Sequence, residues 1–263
     1  MWAKVYKVIY ILAFFSIIGV LIYSLFIAKE QDTRLISKAA VVLVTYVVYM
    51  LRGQRAPSSH KVYEKLYQDI VGGAFEEDKK SYKQLLQVAV YYNQNQYKKA
   101  YKLIDKLLEK CKRVKDYSAV YMFQALCLAE EKRQEETIQA YHKLLQYDMA
   151  NSRAWSNLGL RYMELGRNKE AKDAYTNAIL YDSQNAHAYN NMAFLLVGMG
   201  EVQQALDYAL KALELDAKVY QAMKAASIAY KMLGDEENAE KYCKMYGVNG
   251  GDAKALRTAL AKI

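Results

Sequence analysis

Asn157 and Asn191 carry the most definite chemistry on offer, and they stand 34 residues apart. A carboxamide has two N–H donors and one carbonyl acceptor. Amides repeated along a surface can therefore pair with the backbone of an extended peptide without reading its side chains. That chemistry is recognition. The residue types used in catalysis are not arranged for it. His60, His142 and His187 are far apart, and none has the spacing of a helical metal motif. Cys111, Cys127 and Cys243 are odd in number and have no short spacing, which excludes a disulfide framework and a zinc signature. Gly198-Met199-Gly200 lacks the strand context of a dinucleotide-binding loop, and no Gly-x-Ser-x-Gly elbow occurs. Glu130-Glu131 and Glu135-Glu136 read as solvated faces. The expectation is a protein that is not an enzyme and uses no cofactor and no metal.

The elements that must hold such amides are helices. The chain has 263 residues, with one proline and twelve glycines. That scarcity favours long helices over strands and turns. Tyrosine occurs 25 times, and its amphipathic ring suits both helix packing and recognition. The formal net charge is +9, and residues 1–55 hold seven Lys/Arg against two Asp/Glu. The remainder is close to balanced and shows no dense basic stripe, so no nucleic-acid partner is expected.

Residues 8–27 form an uncharged apolar run. Twenty residues at about 1.5 Å each span roughly 30 Å, the thickness of a bilayer core. A second run, 35–51, includes Lys38, which can snorkel. The two read as a transmembrane helical hairpin, residues 1–55, or as one span with an interfacial helix. Lys4, Lys7, Arg52, Arg55 and Lys61 flank the hairpin and outnumber the loop cations. By the positive-inside rule this predicts an integral membrane protein with its C-terminal part in the cytoplasm.

The rest of the chain repeats. Trp155, Tyr189 and Met223 recur at 34 residues, as do Gly166, Gly200 and Gly234, and Ala171, Ala205 and Ala239. A fixed period of this length means stacked helical hairpins that present a surface. Within residues 152–185, Trp155, Leu158, Gly159, Tyr162, Gly166, Ala171, Tyr175 and Ala178 resemble the tetratricopeptide repeat family. Residues 186–219 and 220–249 keep the pattern. Residues 118–151 fit it with Lys132 in place of the turn glycine, and 81–117 hold a degenerate unit. The family's frequent proline at the end of the second helix is absent; Met149, Ser183 and Ala217 stand there. The predicted fold is all-α: the membrane hairpin, a linker and short helix over 56–80, a right-handed solenoid of about five units, and a capping helix over 250–263. Asn151 and Asn185 are placed to cap helices.

The resemblance also implies a site. In this family the first helices of successive hairpins line a concave groove. Carried over, that places Arg153, Ser156, Asn157, Leu160 and Met163 in one unit. The next contributes His187, Asn190, Asn191, Phe194 and Val197, and the third Gln221, Lys224, Ala225, Ile228 and Lys231. Met122, Phe123 and Leu126 precede them. Phe123, Leu160 and Phe194 would supply apolar pockets. Lys224 and Arg153 do not reproduce the arrangement with which some family members hold acidic C-terminal tails. The implied function is a membrane-anchored scaffold that binds an extended protein or peptide partner. Two alternatives stand beside it. One is a structural subunit acting through self- or hetero-association, as a homo-oligomer or within a membrane complex. The other is an extracytoplasmic chaperone.

Overall fold

The computed structural model describes residues 59–263. Among the described residues there are thirteen helices and no strand. They fall into two compact units, divided between Phe123 and Gln124.

The first unit contains α1 (Ser59–Leu66), α2 (Gln68–Val71), α3 (Lys79–Asn93), α4 (Tyr97–Leu108) and the start of α5 (Val114–Glu130). The Asp78 carboxylate caps α3, accepting from Lys80 N and Ser81 N at 3.0 Å each. These amides have no partner inside the helix, so the cap satisfies otherwise orphaned donors. In α4 the buried residues are Ala100, Ile104 and Leu107. They lie at helical spacing and form one apolar stripe facing α3. Asp116 clamps the loop that leads into α3. Its buried carboxylate accepts from Phe75 N at 2.7 Å, Arg113 N at 3.1 Å, Lys112 N at 3.2 Å and Arg113 Nη2 at 3.2 Å. The Arg113 guanidinium also donates to Gly73 O at 3.0 Å.

The second unit holds the end of α5 and α6 (Gln134–Tyr147), α7 (Ser152–Glu164), α8 (Asn168–Tyr181), α9 (Ala186–Met199), α10 (Val202–Leu215), α11 (Tyr220–Met232), α12 (Glu236–Val248) and α13 (Ala253–Leu260). Three hairpins, α7–α8, α9–α10 and α11–α12, turn at Gly166, Gly200 and Gly234 with φ of 71°, 78° and 81°. This left-handed conformation ends the first helix and favours glycine. Lys132 takes the same conformation, φ 60°, at the turn before α6. Asn151 and Asn185 cap α7 and α9, accepting from Ala154 N at 3.0 Å and Ala188 N at 3.1 Å. Successive hairpins are also tied together. Asn185 Nδ2 donates to Ser152 Oγ at 2.8 Å, and Ser152 Oγ donates to Ala178 O at 2.7 Å.

Side-chain size sets how closely the paired helices approach. A Cβ added at Gly159 would lie 2.6 Å from Tyr175 Cε1. Ala193 and Ala209 fill the same two slots one repeat on and share one core cluster. Ser227 and Cys243 fill them in the third hairpin, both buried. At the C-terminal end, Leu256 and Leu260 of α13 pack on Met223, Cys243 and Tyr246.

The predicted membrane localisation is corrected by the structure. Among the described residues no helix is long and apolar enough to cross a membrane. The helices here run to at most 17 residues, and their apolar positions form stripes that pack on neighbouring helices. The two apolar runs behind that prediction, 8–27 and 35–51, lie outside the described residues.

Candidate protein-interaction site

Within the second unit, α7 packs on α9 and α9 on α11, whereas no comparable packing joins α8 to α10 or α10 to α12. The stack is tighter along its first helices, which makes their free face the inner, concave side. The side chains predicted for a site lie on these helices. Arg153 and His187 are exposed; Asn157, Leu160, Asn191, Phe194 and Lys224 are half-buried; Asn190 is buried.

Three polar groups meet between α7 and α9. Asn190 Nδ2 donates to Asn191 Oδ1 at 3.2 Å, and Asn191 Nδ2 donates to Ser156 Oγ at 3.3 Å. The Asn190 carbonyl oxygen is buried without a hydrogen-bond partner. An unpaired buried acceptor costs about 1–3 kcal/mol, so this corner of the face holds unspent bonding capacity. Phe194, one turn along α9, packs against the cluster of Ala193, Leu206 and Ala209.

Asn157 is placed differently from its repeat counterpart. Its side chain lies beside the hydroxyl of Tyr141 on α6. Burial pushes that phenol up to about 12, while Arg161, the Asn157 amide and Arg153 pull it down. Tyr175 occupies the slot of Tyr141 one repeat later, and its buried hydroxyl has no partner. Asn191, the counterpart of Asn157, bonds Ser156 instead. The two amides thus share a sequence position but not their surroundings.

The other predicted positions divide in the same way. Among the described residues, His187 and Lys224 make no hydrogen bond or ion pair. Lys231 pairs with Glu236. Ile228 packs with the C-terminal cluster of Met223 and Leu256. Ala225 is wholly buried. The pocket expected at Phe123 is absent. That ring is fully buried in the first unit, edge-on to Tyr67 at 5.3 Å and to Tyr92 at 6.4 Å between centroids. Met122 is buried beside it in sequence. Sequence reasoning missed Tyr141 and Tyr175 as buried rings at the same repeat position, one beside Asn157 and the other with an unpartnered hydroxyl. The available signal was their common 34-residue spacing. Among the described residues, no group of three or more His, Cys, Asp or Glu could hold a metal ion.

Antiparallel helix pairs repeating every 34 residues, with a glycine turn inside each pair and a free inner face, define a helical-repeat protein. Two stretches of the chain, residues 152–185 and 186–219, each match a model of the tetratricopeptide repeat. No curated protein matches the chain. Solved structures share the fold. PilF of Pseudomonas aeruginosa is 20% identical with a TM-score of 0.61, over 70% of this chain and 84% of that one. YrrB, described as a TPR protein with an unusual peptide-binding site, is 18% identical with a TM-score of 0.54, over 78% of this chain and 100% of that one. MamA is 19% identical with a TM-score of 0.53, over 67% of this chain and 97% of that one.

Proposed function

We propose that the chain is a non-catalytic interaction scaffold whose inner face in the second unit binds an extended segment of a partner protein. The observation that carries this is the polar group of Ser156, Asn191 and Asn190, with its unpaired carbonyl, on the same helices as half-buried Leu160 and Phe194. A bound backbone would meet amide donors and acceptors, and its side chains would meet apolar rings and methyls. YrrB has the same fold and a peptide-binding site of its own, which supports peptide recognition on such a stack. Asn191 bonds only the other polar groups of this face, Ser156 and Asn190, so a bound backbone can take the place of those bonds. Asn157 instead lies beside the buried Tyr141 hydroxyl.

The test is selection of peptides from a random displayed library on the immobilised full-length chain, followed by titration of the selected peptides. Asn191→Ala should weaken them by about tenfold, the worth of a hydrogen bond made on binding. Asn157→Ala should weaken them less. Peptides that bind the Asn191→Ala variant as tightly as the wild type would exclude this face as the site.

A further inference from the structure

We infer that helix α4 of the first unit is a second docking surface, one that takes an acidic segment of a partner protein. Lys98, Lys102 and Lys106 lie four residues apart on α4, which sets them in one line about 6 Å apart. Lys99 stands beside them. All four are exposed. Lys99 sits 5.7 Å from the centroid of the Tyr91 ring. Among the described residues none of the four makes an ion pair. The opposite side of the helix is pinned by buried Ala100, Ile104 and Leu107, so the line of ammonium groups is displayed on a fixed support.

Comparison with the equivalent helices shows that this is not the ordinary surface of the protein. α4 has four lysines and one acid. α6 has one lysine and two glutamates, α8 two lysines and two acids, α10 one lysine and two acids, and α12 two lysines and three glutamates. In three of those helices one lysine is also held in an ion pair. Lys172 pairs with Glu201, Lys211 with Glu214 and Lys244 with Glu240. Residues 59–123 carry thirteen Lys/Arg against eight Asp/Glu, whereas 124–263 carry seventeen against eighteen. The near-balance of the chain beyond its N-terminal segment therefore conceals one basic stripe.

The spacing and the cation type select the partner. Carboxylates on alternate residues of an extended chain are about 6.5 Å apart, and carboxylates four residues apart on a helix are about 6 Å apart. Either register meets the lysine line. Ammonium groups are compact point charges that suit single carboxylates, whereas the bidentate recognition of phosphate uses arginine. α4 contains no arginine, and Asp105 lies between Lys102 and Lys106. A continuous phosphate backbone would meet that carboxylate, whereas a polypeptide can place a neutral residue opposite it.

The test titrates the full-length chain with a fluorescent oligoglutamate peptide at low and high salt. Saturable binding at low salt, weakened by added salt, is expected. Lys98→Gln/Lys102→Gln/Lys106→Gln should weaken it by about tenfold or more, from three exposed ion pairs lost together. The control Lys169→Gln/Lys241→Gln/Lys254→Gln removes the same charge from exposed sites in the second unit and should leave binding within about twofold, since exposed charges outside the stripe add only screened, non-specific attraction. Asn191→Ala should have no effect, which separates this surface from the inner face. Equal losses in the two lysine triples would reduce the effect to net charge and overturn the proposal. Tighter binding of an oligothymidylate of equal charge would assign the stripe to nucleic acid and overturn it as well.

Discussion

Gly159 and Gly198 both lie inside first helices, and helix propensity alone predicts that alanine stabilises each by up to about 1 kcal/mol. The structure separates them. Around Gly198 nothing lies within 4 Å of an added Cβ, so Gly198→Ala should gain about 0.5 kcal/mol, less than the full amount because it sits in the last turn of α9. At Gly159 the added Cβ would stand 2.6 Å from Tyr175 Cε1 and 2.7 Å from Cδ1. The Tyr175 ring is fully buried and cannot swing into solvent. Relief requires α7 and α8 to part by roughly 1 Å, and forced overpacking of this kind costs about 1–3 kcal/mol. Taking the upper end and subtracting the propensity gain leaves a net loss of about 2 kcal/mol. Urea unfolding followed by far-UV circular dichroism on the full chain measures both variants. A shift of about 4–8 °C in thermal midpoint should accompany Gly159→Ala. The decisive comparison is a cycle with Tyr175→Ala. Once the ring is gone, Gly159→Ala should become neutral or stabilising. A Gly159→Ala variant that stabilises the wild type, or that costs the same with and without the ring, would refute the size-matching argument.

Two further expectations concern titratable groups. Burial opposes ionisation of Asp116, but the N–H groups of Phe75, Lys112 and Arg113 and the Arg113 guanidinium outweigh it and hold the carboxyl below its ordinary range. A depressed folded-state value contributes stability that is present above the unfolded-state pKa of about 3.9 and is lost as pH falls through the folded value. Asp116→Asn should therefore cost about 1.5–3 kcal/mol at neutral pH. The gap to wild type in urea midpoint should close below about pH 4; a gap independent of pH would refute the assignment. Cys111 and Cys127 are pushed up to about 12, first by burial and then by Asp116 for the former and Glu131 and Glu130 for the latter. Ellman's reagent at mildly alkaline pH should label them only as fast as the chain unfolds, since the thiolate is the reactive form. Rapid labelling of Cys127 in the native protein would contradict its burial.

Much of the architecture is legible in the residue pattern alone. A 34-residue interval between small, large and turn residues, with almost no proline, specifies helical hairpins, because those residue types reflect local conformation and the slots where paired helices touch. Turn glycines are legible for the same reason: a positive φ is a local demand. The two N-terminal runs are legible as apolar segments, but the localisation inferred from them is not carried by any described helix. The lysines of α4 are present in the sequence yet hidden in a chain-wide count, because a stripe exists only once a helix lines up every fourth residue.

What tertiary structure alone decided is which partner each side chain meets. Asn157 and Asn191 hold one repeat position, yet one lies beside a buried tyrosine hydroxyl and the other bonds a serine on the preceding hairpin. Phe123, predicted for a pocket, is enclosed between two tyrosines of the first unit. Gly159 is forced by the ring of Tyr175, whereas Ala193 and Ser227 accept a Cβ in the same slot because smaller residues, Ala209 and Cys243, stand at the facing position. The reason is common to all three. A period encodes the conformation and spacing of the chain. Burial and hydrogen bonding depend on the surfaces that two helices present to each other, and those surfaces exist only after the hairpins have stacked.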